Sequence, residues 1–376
     1  MGLISLRMCA ALLICMSLTA CGSLPRGAGL QSEVLTASDT KKGSNGEPIY
    51  DFAVFEVQRD LLSVIKRWPS NTPQRHGWLN KQTQPASLLI AAGDMLNVTI
   101  WDAEENSLLT NQGQRVAQLQ GIQVSSDGKI FIPFVGNLKV SGMSPQTARG
   151  RIETALVQTV PSAQVQLTVV PGRANTVNLV SGMNAPGVYP LSDRNTSLLS
   201  ALSQGGGVQA RFANPHIKLI LGSKIYSTSL SRVLDNSVLD TTLVGGDRII
   251  VEEDERYFLS LGATGSEALH KFPKDEVTAL DALSIVGGVS DDRANPQGIL
   301  ILREYASSAM RRDQIEGPPQ ARIVFTIDLT HADGLFSAAK FQIHPNDLVY
   351  ATESPVNVAQ TVFGILGSVL GLSSRL

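Results

Sequence analysis

Cysteine is almost missing from this chain: of 376 residues only Cys9, Cys15 and Cys21 are thiols, all near the amino terminus. Once such a leader is processed, no free cysteine is left for a disulfide, a metal site or a nucleophile. In an oxidising compartment the chain must then be held together by core burial and assembly. Histidine is sparse and scattered, and His76, His216, His270, His331 and His344 have no spacing that sets two on one helix face for a metal. There is no Gly-x-Ser-x-Gly elbow and no phosphate loop, so neither an enzyme nor a resident metal or cofactor is expected. Clustered arginines are missing too. The net charge of -2 becomes about -3 if Arg7 is lost, a poor match for nucleic acid. The densest carboxylate run, Glu252-Glu253-Asp254-Glu255, reads as a solvated linker rather than an acid-base pair.

What is present begins with Arg7 and an apolar stretch from Met8 to Met16, followed by Leu18-Thr19-Ala20-Cys21. The stretch is shorter than the ~20 apolar residues of a spanning helix, so residues 1–20 read as a signal peptide. Leu18-Thr19-Ala20-Cys21 resembles a bacterial lipobox, which implies lipidation of the Cys21 thiol, cleavage before it and acylation of the new amino group. Several acyl chains at ~0.8 kcal/mol per buried methylene make a lasting anchor. Gly22, in place of the aspartate typical of inner-membrane retention, points to the outer membrane. About 356 residues remain after the leader, room for two or three domains at ~100–200 residues each.

Residues 21–48, rich in Ser, Gly, Thr and Lys without apolar periodicity, read as a lipidated tether. Residues 49–85 hold a strand at 49–57, a helix at 60–68 carrying Leu61, Leu62, Val64, Ile65 and Trp68, and a Pro-rich linker. Residues 86–172 form the most informative segment. A turn at Ala92-Gly93-Asp94 leads to a strand from Met95 to Trp101. Apolar runs at 122–126 and 129–135 flank Asp127-Gly128, whose glycine supplies the positive φ of a tight hairpin. Ser144-Pro145 opens a helix that Pro161 stops, and Val165, Leu167 and Val169 alternate as a strand.

The ordered series Gly93-Asp94-x-Leu96-x-Val98-x-x-Trp101, Val124-x-x-Asp127-Gly128-x-Ile130-x-x-Pro133-x-x-Gly136, Val140-x-Gly142-x-Ser144 and Val165-x-Leu167-x-Val169 resembles the polysaccharide export sequence domain of the Wza-like outer-membrane lipoproteins. A repeat follows. Leu198-Leu199-x-Ala201-Leu202, Gly206-Gly207-Val208 and Ala213-Asn214-Pro215 recur as Leu280-x-Ala282-Leu283, Gly287-Gly288-Val289 and Ala294-Asn295-Pro296, with Gly288 81 positions after Gly207. The copies close on Gly246-Asp247 and Asn346-Asp347, now 100 apart, so the second carries about nineteen extra residues, expected as a surface loop at 306–321. Strand, turn, helix, glycine turn and closing strands resemble the soluble-ligand-binding β-grasp domain, which in that family follows the export domain. Copies are expected at 174–254 and 256–352. Their paired glycines read first as helix ends needing left-handed backbone.

Residues 355–376 are expected as an amphipathic transmembrane helix. At ~100° per residue, Val362, Phe363, Ile365, Leu366, Val369, Leu370 and Leu372 make a bulky arc, while Gly364, Gly367, Ser368 and Gly371 fill the opposite one. Seventeen uncharged residues at ~1.5 Å each reach ~25 Å, enough for a thin outer membrane. One such helix leaves its small face unpacked in lipid, whereas several in a ring bury it or line a wet lumen. The alternative is a helix docked on its own domain or on the membrane surface.

The fold class expected is therefore α+β: small mixed sheet-and-helix domains, an export domain and two β-grasp-like repeats, ahead of a C-terminal membrane helix. The family resemblance implies a homo-oligomeric ring of eight subunits, with most of the chain in the periplasm. It also implies capsular or extracellular polysaccharide in transit, and an inner-membrane copolymerase, often a tyrosine autokinase, as partner. The competing readings are a periplasmic ligand-binding lipoprotein and a structural outer-membrane adaptor, both without a pore.

Overall fold

The computed structural model describes residues 27–36, 41–42, 48–49, 52–70, 77–82, 88–102, 116–191, 193–311 and 313–356. The chain divides into two compact units, Gln74–Asp254 and the combination of Met1–Pro73 with Glu255–Leu376.

In the first unit, Met95–Trp101 is the centre of an antiparallel three-stranded sheet between Val116–Gln123 and Gln164–Val170. Strand side chains alternate between faces, so Leu96, Val98 and Ile100 all point inward and are fully buried. Helix Pro145–Leu156 covers them with Ala148, Ile152 and Leu156. Its amino end is capped as the sequence predicts, the Thr147 N–H donating to Ser144 Oγ at 3.1 Å.

The Asp127-Gly128 turn forms, with Gly128 at φ 77° and its N–H donating to Ser125 O at 2.8 Å. It does not join the two strands of one hairpin. Val116–Gln123 pairs with Met95–Trp101, and Lys129–Ile132 pairs instead with Gly136–Lys139. A turn residue fixes the local reversal, but ladder partners are chosen by which apolar face each strand must bury.

The two repeats have one topology. Residues 176–252 make a five-stranded sheet in the order Gly187–Pro190, Thr176–Ser181, Arg248–Glu252, His216–Leu221 and Lys224–Ser229. Numbered within the copy this is 2-1-5-3-4, with the first and last strands parallel and the other pairs antiparallel. Residues 257–353 repeat it with Ala268–Lys271, Tyr257–Gly262, Leu348–Glu353, Ala294–Glu304 and Arg322–Ile327. Helices Leu198–Gln204 and Ala279–Ile285 each lay a Leu/Ala face on their own core. The paired glycines end these helices in the left-handed region, at φ 76° and 80° for Gly206 and Gly207 and 82° and 83° for Gly287 and Gly288. The extra residues of the second copy lie between Ala294–Glu304 and Arg322–Ile327, where the first copy has only a short turn before Lys224.

Two expectations for the amino-terminal segments need correction. Strand Ala53–Glu56 does not belong to a module of its own but adds in parallel to Arg322–Ile327 as a sixth strand of the second repeat's sheet. Helix Arg59–Ile65 follows it, and Trp68 packs edge-on against Phe55 and Tyr305 while its Nε1 donates to Gln314 O. The inserted loop is thus pinned from beneath rather than wholly solvated. The stretch read as a tether is also fastened: Leu30 bridges Glu353, and the Gly29 N–H donates to Tyr350 Oη at 2.7 Å. Its backbone groups supply these bonds, and polar composition does not reveal them.

Among the described residues no helix is long and apolar enough to cross a membrane. The expected C-terminal helix lies outside the described residues, as does Cys21.

Candidate functional site

Three aspartates that the sequence marks as turn residues are buried and share one geometry. Each bends back to accept a backbone N–H three positions earlier: Asp94 from Ala91 at 2.8 Å, Asp247 from Val244 at 2.8 Å and Asp347 from His344 at 2.7 Å. The residue before each has positive φ, 90° at Gly93, 91° at Gly246 and 69° at Asn346. These carboxylates brace strand entrances. Asp94 does more, because Oδ1 accepts the Gly172 N–H at 2.7 Å and Oδ2 the Asn175 amide at 2.8 Å. It therefore ties the export sheet to the start of the first repeat. Burial pushes the Asp247 carboxyl above its ordinary value.

The carboxylate run at 252–255 is not simply solvated. Glu252 pairs with Lys218, Glu253 Oε1 accepts the Ala213 N–H, and buried Asp254 accepts the Asn214 amide at 2.8 Å. Glu252, Glu253 and Asp254 are thus bound to donors of the fold.

The open face of the export sheet has a different character. None of its three strands contains a charged residue. Thr99 stands between Gln118 and Gln166, and Trp101 between Val116 and Gln164. Trp101 is 39% exposed and borders a shallow groove of about 560 Å³ that runs on to Gln146 and Arg149 of the covering helix. Neutral amides and hydroxyls of this kind exchange hydrogen bonds with a hydroxylated chain at a net gain of only ~0.5–1.5 kcal/mol each.

The expected lipidation residue, Cys21, and both arcs of the expected membrane helix, Val362 to Leu372, lie outside the described residues, so none is placed relative to this face. The groove at Trp101 went unremarked at the level of sequence, although the charge-free alternation of 95–101 and 164–170 carries its signal.

Small α+β modules, one followed by a tandem repeat of a single sheet topology, define a multidomain α+β protein. Residues 82–170 match the family described as polysaccharide biosynthesis/export protein. The chain is similar to the capsule polysaccharide export protein of Haemophilus influenzae, 24% identical over 96% of this chain and 94% of that protein. It is also similar to the capsule polysaccharide export outer membrane protein of Neisseria meningitidis serogroup A, 24% identical over 71% and 73% of the two chains. The Vi polysaccharide export protein of Salmonella typhi is 25% identical over 70% and 74%. The chain is thus similar, along most of its length, to proteins that are named as polysaccharide exporters and not as enzymes.

Proposed function

We propose that this chain is an outer-membrane translocon for capsular or extracellular polysaccharide, a ring-forming conduit fed by an inner-membrane copolymerase. The observation that carries the reading is the arrangement of an export domain followed by two copies of one 2-1-5-3-4 sheet, in a chain similar along most of its length to named polysaccharide exporters. Lipid attached at Cys21 anchors the amino terminus, and the helix at 355–376 enters outer-membrane lipid with the bulky arc from Val362 to Leu372 outward. Gly364, Gly367, Ser368 and Gly371 then let neighbouring helices approach closely around the ring. The uncharged export sheet supports a passage that holds polymer weakly, since conduction requires binding loose enough to leave.

Native mass measurement and negative-stain imaging of the detergent-extracted protein test this directly. A closed ring near eight copies is expected. A monomer would remove the translocon and favour a ligand-binding or structural lipoprotein.

A further inference from the structure

The register of the two repeats places their side chains in one-to-one correspondence. In the first, Val188, Asn178 and Arg248 sit side by side across three adjacent strands. In the second, the same three positions are Leu269, Leu259 and Leu348. One fold thus presents an all-leucine row in one copy and a polar, cationic row in the other. The backbone has no need of arginine there, since leucine serves at the equivalent place.

The cationic row borders a groove of about 720 Å³ in the first unit, which Arg173 and Thr176 also line. Both arginines are exposed, and neither is paired with a carboxylate among the described residues. Asp247, the one acid lining the groove, is 5% exposed and has Oδ2 turned back onto the Val244 N–H. It leaves the two guanidiniums unneutralised. Gly246, with open space where a side chain would be, keeps the wall low enough for a bulky chain to approach. Val188, 64% exposed, supplies an apolar floor, and the Asn178 amide and Thr176 hydroxyl supply neutral hydrogen-bonding groups.

We propose that this groove is a contact site for the acid groups of a saccharide chain, with Arg173 and Arg248 receiving carboxylate or phosphate oxygens and Asn178 and Thr176 the neighbouring hydroxyls. Guanidinium suits this because its planar fork matches both oxyanions. The saccharide part of the inference rests on the export reading; the oxyanion part rests on the groove alone. Solvent-exposed pairing keeps each contact weak and salt-sensitive, in keeping with a chain that moves on.

The test uses full-length protein in detergent, titrated by calorimetry with a short oligogalacturonate, a neutral oligoglucan of equal length, and inorganic phosphate. The acidic oligomer is expected to bind at least about tenfold more tightly than the neutral one, with the preference lost in Arg173→Gln/Arg248→Gln and weakened by salt. Both side chains are exposed, so the variant should melt like the parent, and Arg248→Lys should keep part of the preference. Equal binding of acidic and neutral oligomers, or parental affinity in the double variant, overturns the proposal. Phosphate binding as tightly as the oligomer overturns the saccharide assignment and leaves an ion site only. A deletion strain with normal surface polymer would sink the export reading whatever the titrations give. Lost polymer together with parental binding by the double variant would sink this inference alone.

Discussion

Arg303 and Asp347 form a fully buried two-point ion pair, with Nε to Oδ1 at 2.9 Å and Nη2 to Oδ2 at 2.7 Å. Desolvation opposes both charges, but the adjoining carboxylate offsets it for Arg303 and holds the guanidinium above its ordinary value. Phe325 and Phe341 lie 5.2 and 5.1 Å from the same guanidinium. Removing one partner strands the other in an apolar core, at about 3–5 kcal/mol, whereas an apolar pair of similar volume is close to neutral. Asp347→Ala should therefore lower the denaturation midpoint of the second repeat strongly, and Arg303→Met/Asp347→Leu should recover much of the loss. Equal destabilisation by single and double variants would contradict this.

His344 is packed beside that pair, its Nδ1 buried without a partner. Burial and then the Arg303 charge push it down from 6.5 to about 3. The unfolded chain takes up the proton more readily, so the stabilising contribution is complete above pH 6.5 and is lost as pH falls towards 3. The slope in that window is up to ~1.4 kcal/mol per pH unit. His344→Phe should flatten the stability profile there, and urea midpoints at several pH values would read it. Parallel profiles for variant and parent would refute the assignment.

Asp94→Ala orphans the Ala91 and Gly172 N–H groups and the Asn175 amide together. Each buried donor left unpaired costs about 1–3 kcal/mol, though the three are not additive. Hydrogen exchange at the Ala91 and Gly172 backbone N–H groups should rise sharply in the variant. Unchanged protection at those amides would show that the carboxylate does not tie the export sheet to the first repeat.

Cys21→Ser should leave a chain that is misprocessed and poorly retained at the outer membrane, because a short amphipathic helix is a weak anchor without acyl chains. Membrane fractionation reads the result. Equal recovery of variant and parent would sink the lipid-anchor proposal.

Leu366→Arg places a charge at the centre of the proposed lipid-facing arc, at ~2.5–3.5 kcal/mol per subunit and repeated around the ring. Surface polymer should disappear while the export domain and the two repeats keep their circular dichroism spectrum. Normal polymer in this strain would mean that the arc does not face lipid.

The amino-acid sequence alone determined the local events. Ser144 before Pro145 set a helix start, Gly206-Gly207 and Gly287-Gly288 set helix ends, and the alternation of 95–101 and 164–170 set strands with one buried face, because caps, positive φ and period-two burial act over a few residues. The resemblance to polysaccharide exporters was legible for the same reason, since residues 82–170, which match that family's model, hold an ordered string of such turns. Only the tertiary structure decided which strands pair. It gave Lys129–Ile132 to Gly136–Lys139 and Ala53–Glu56 to Arg322–Ile327. It also buried Arg303, a residue the sequence gave no cause to single out, against an aspartate 44 positions away. The cationic groove at Arg173 and Arg248 belongs with these, built by strands that meet only in the folded sheet. Ladder partners and buried ion pairs are selected by the total apolar area and polar satisfaction of the assembled core, and no short stretch of chain encodes that sum.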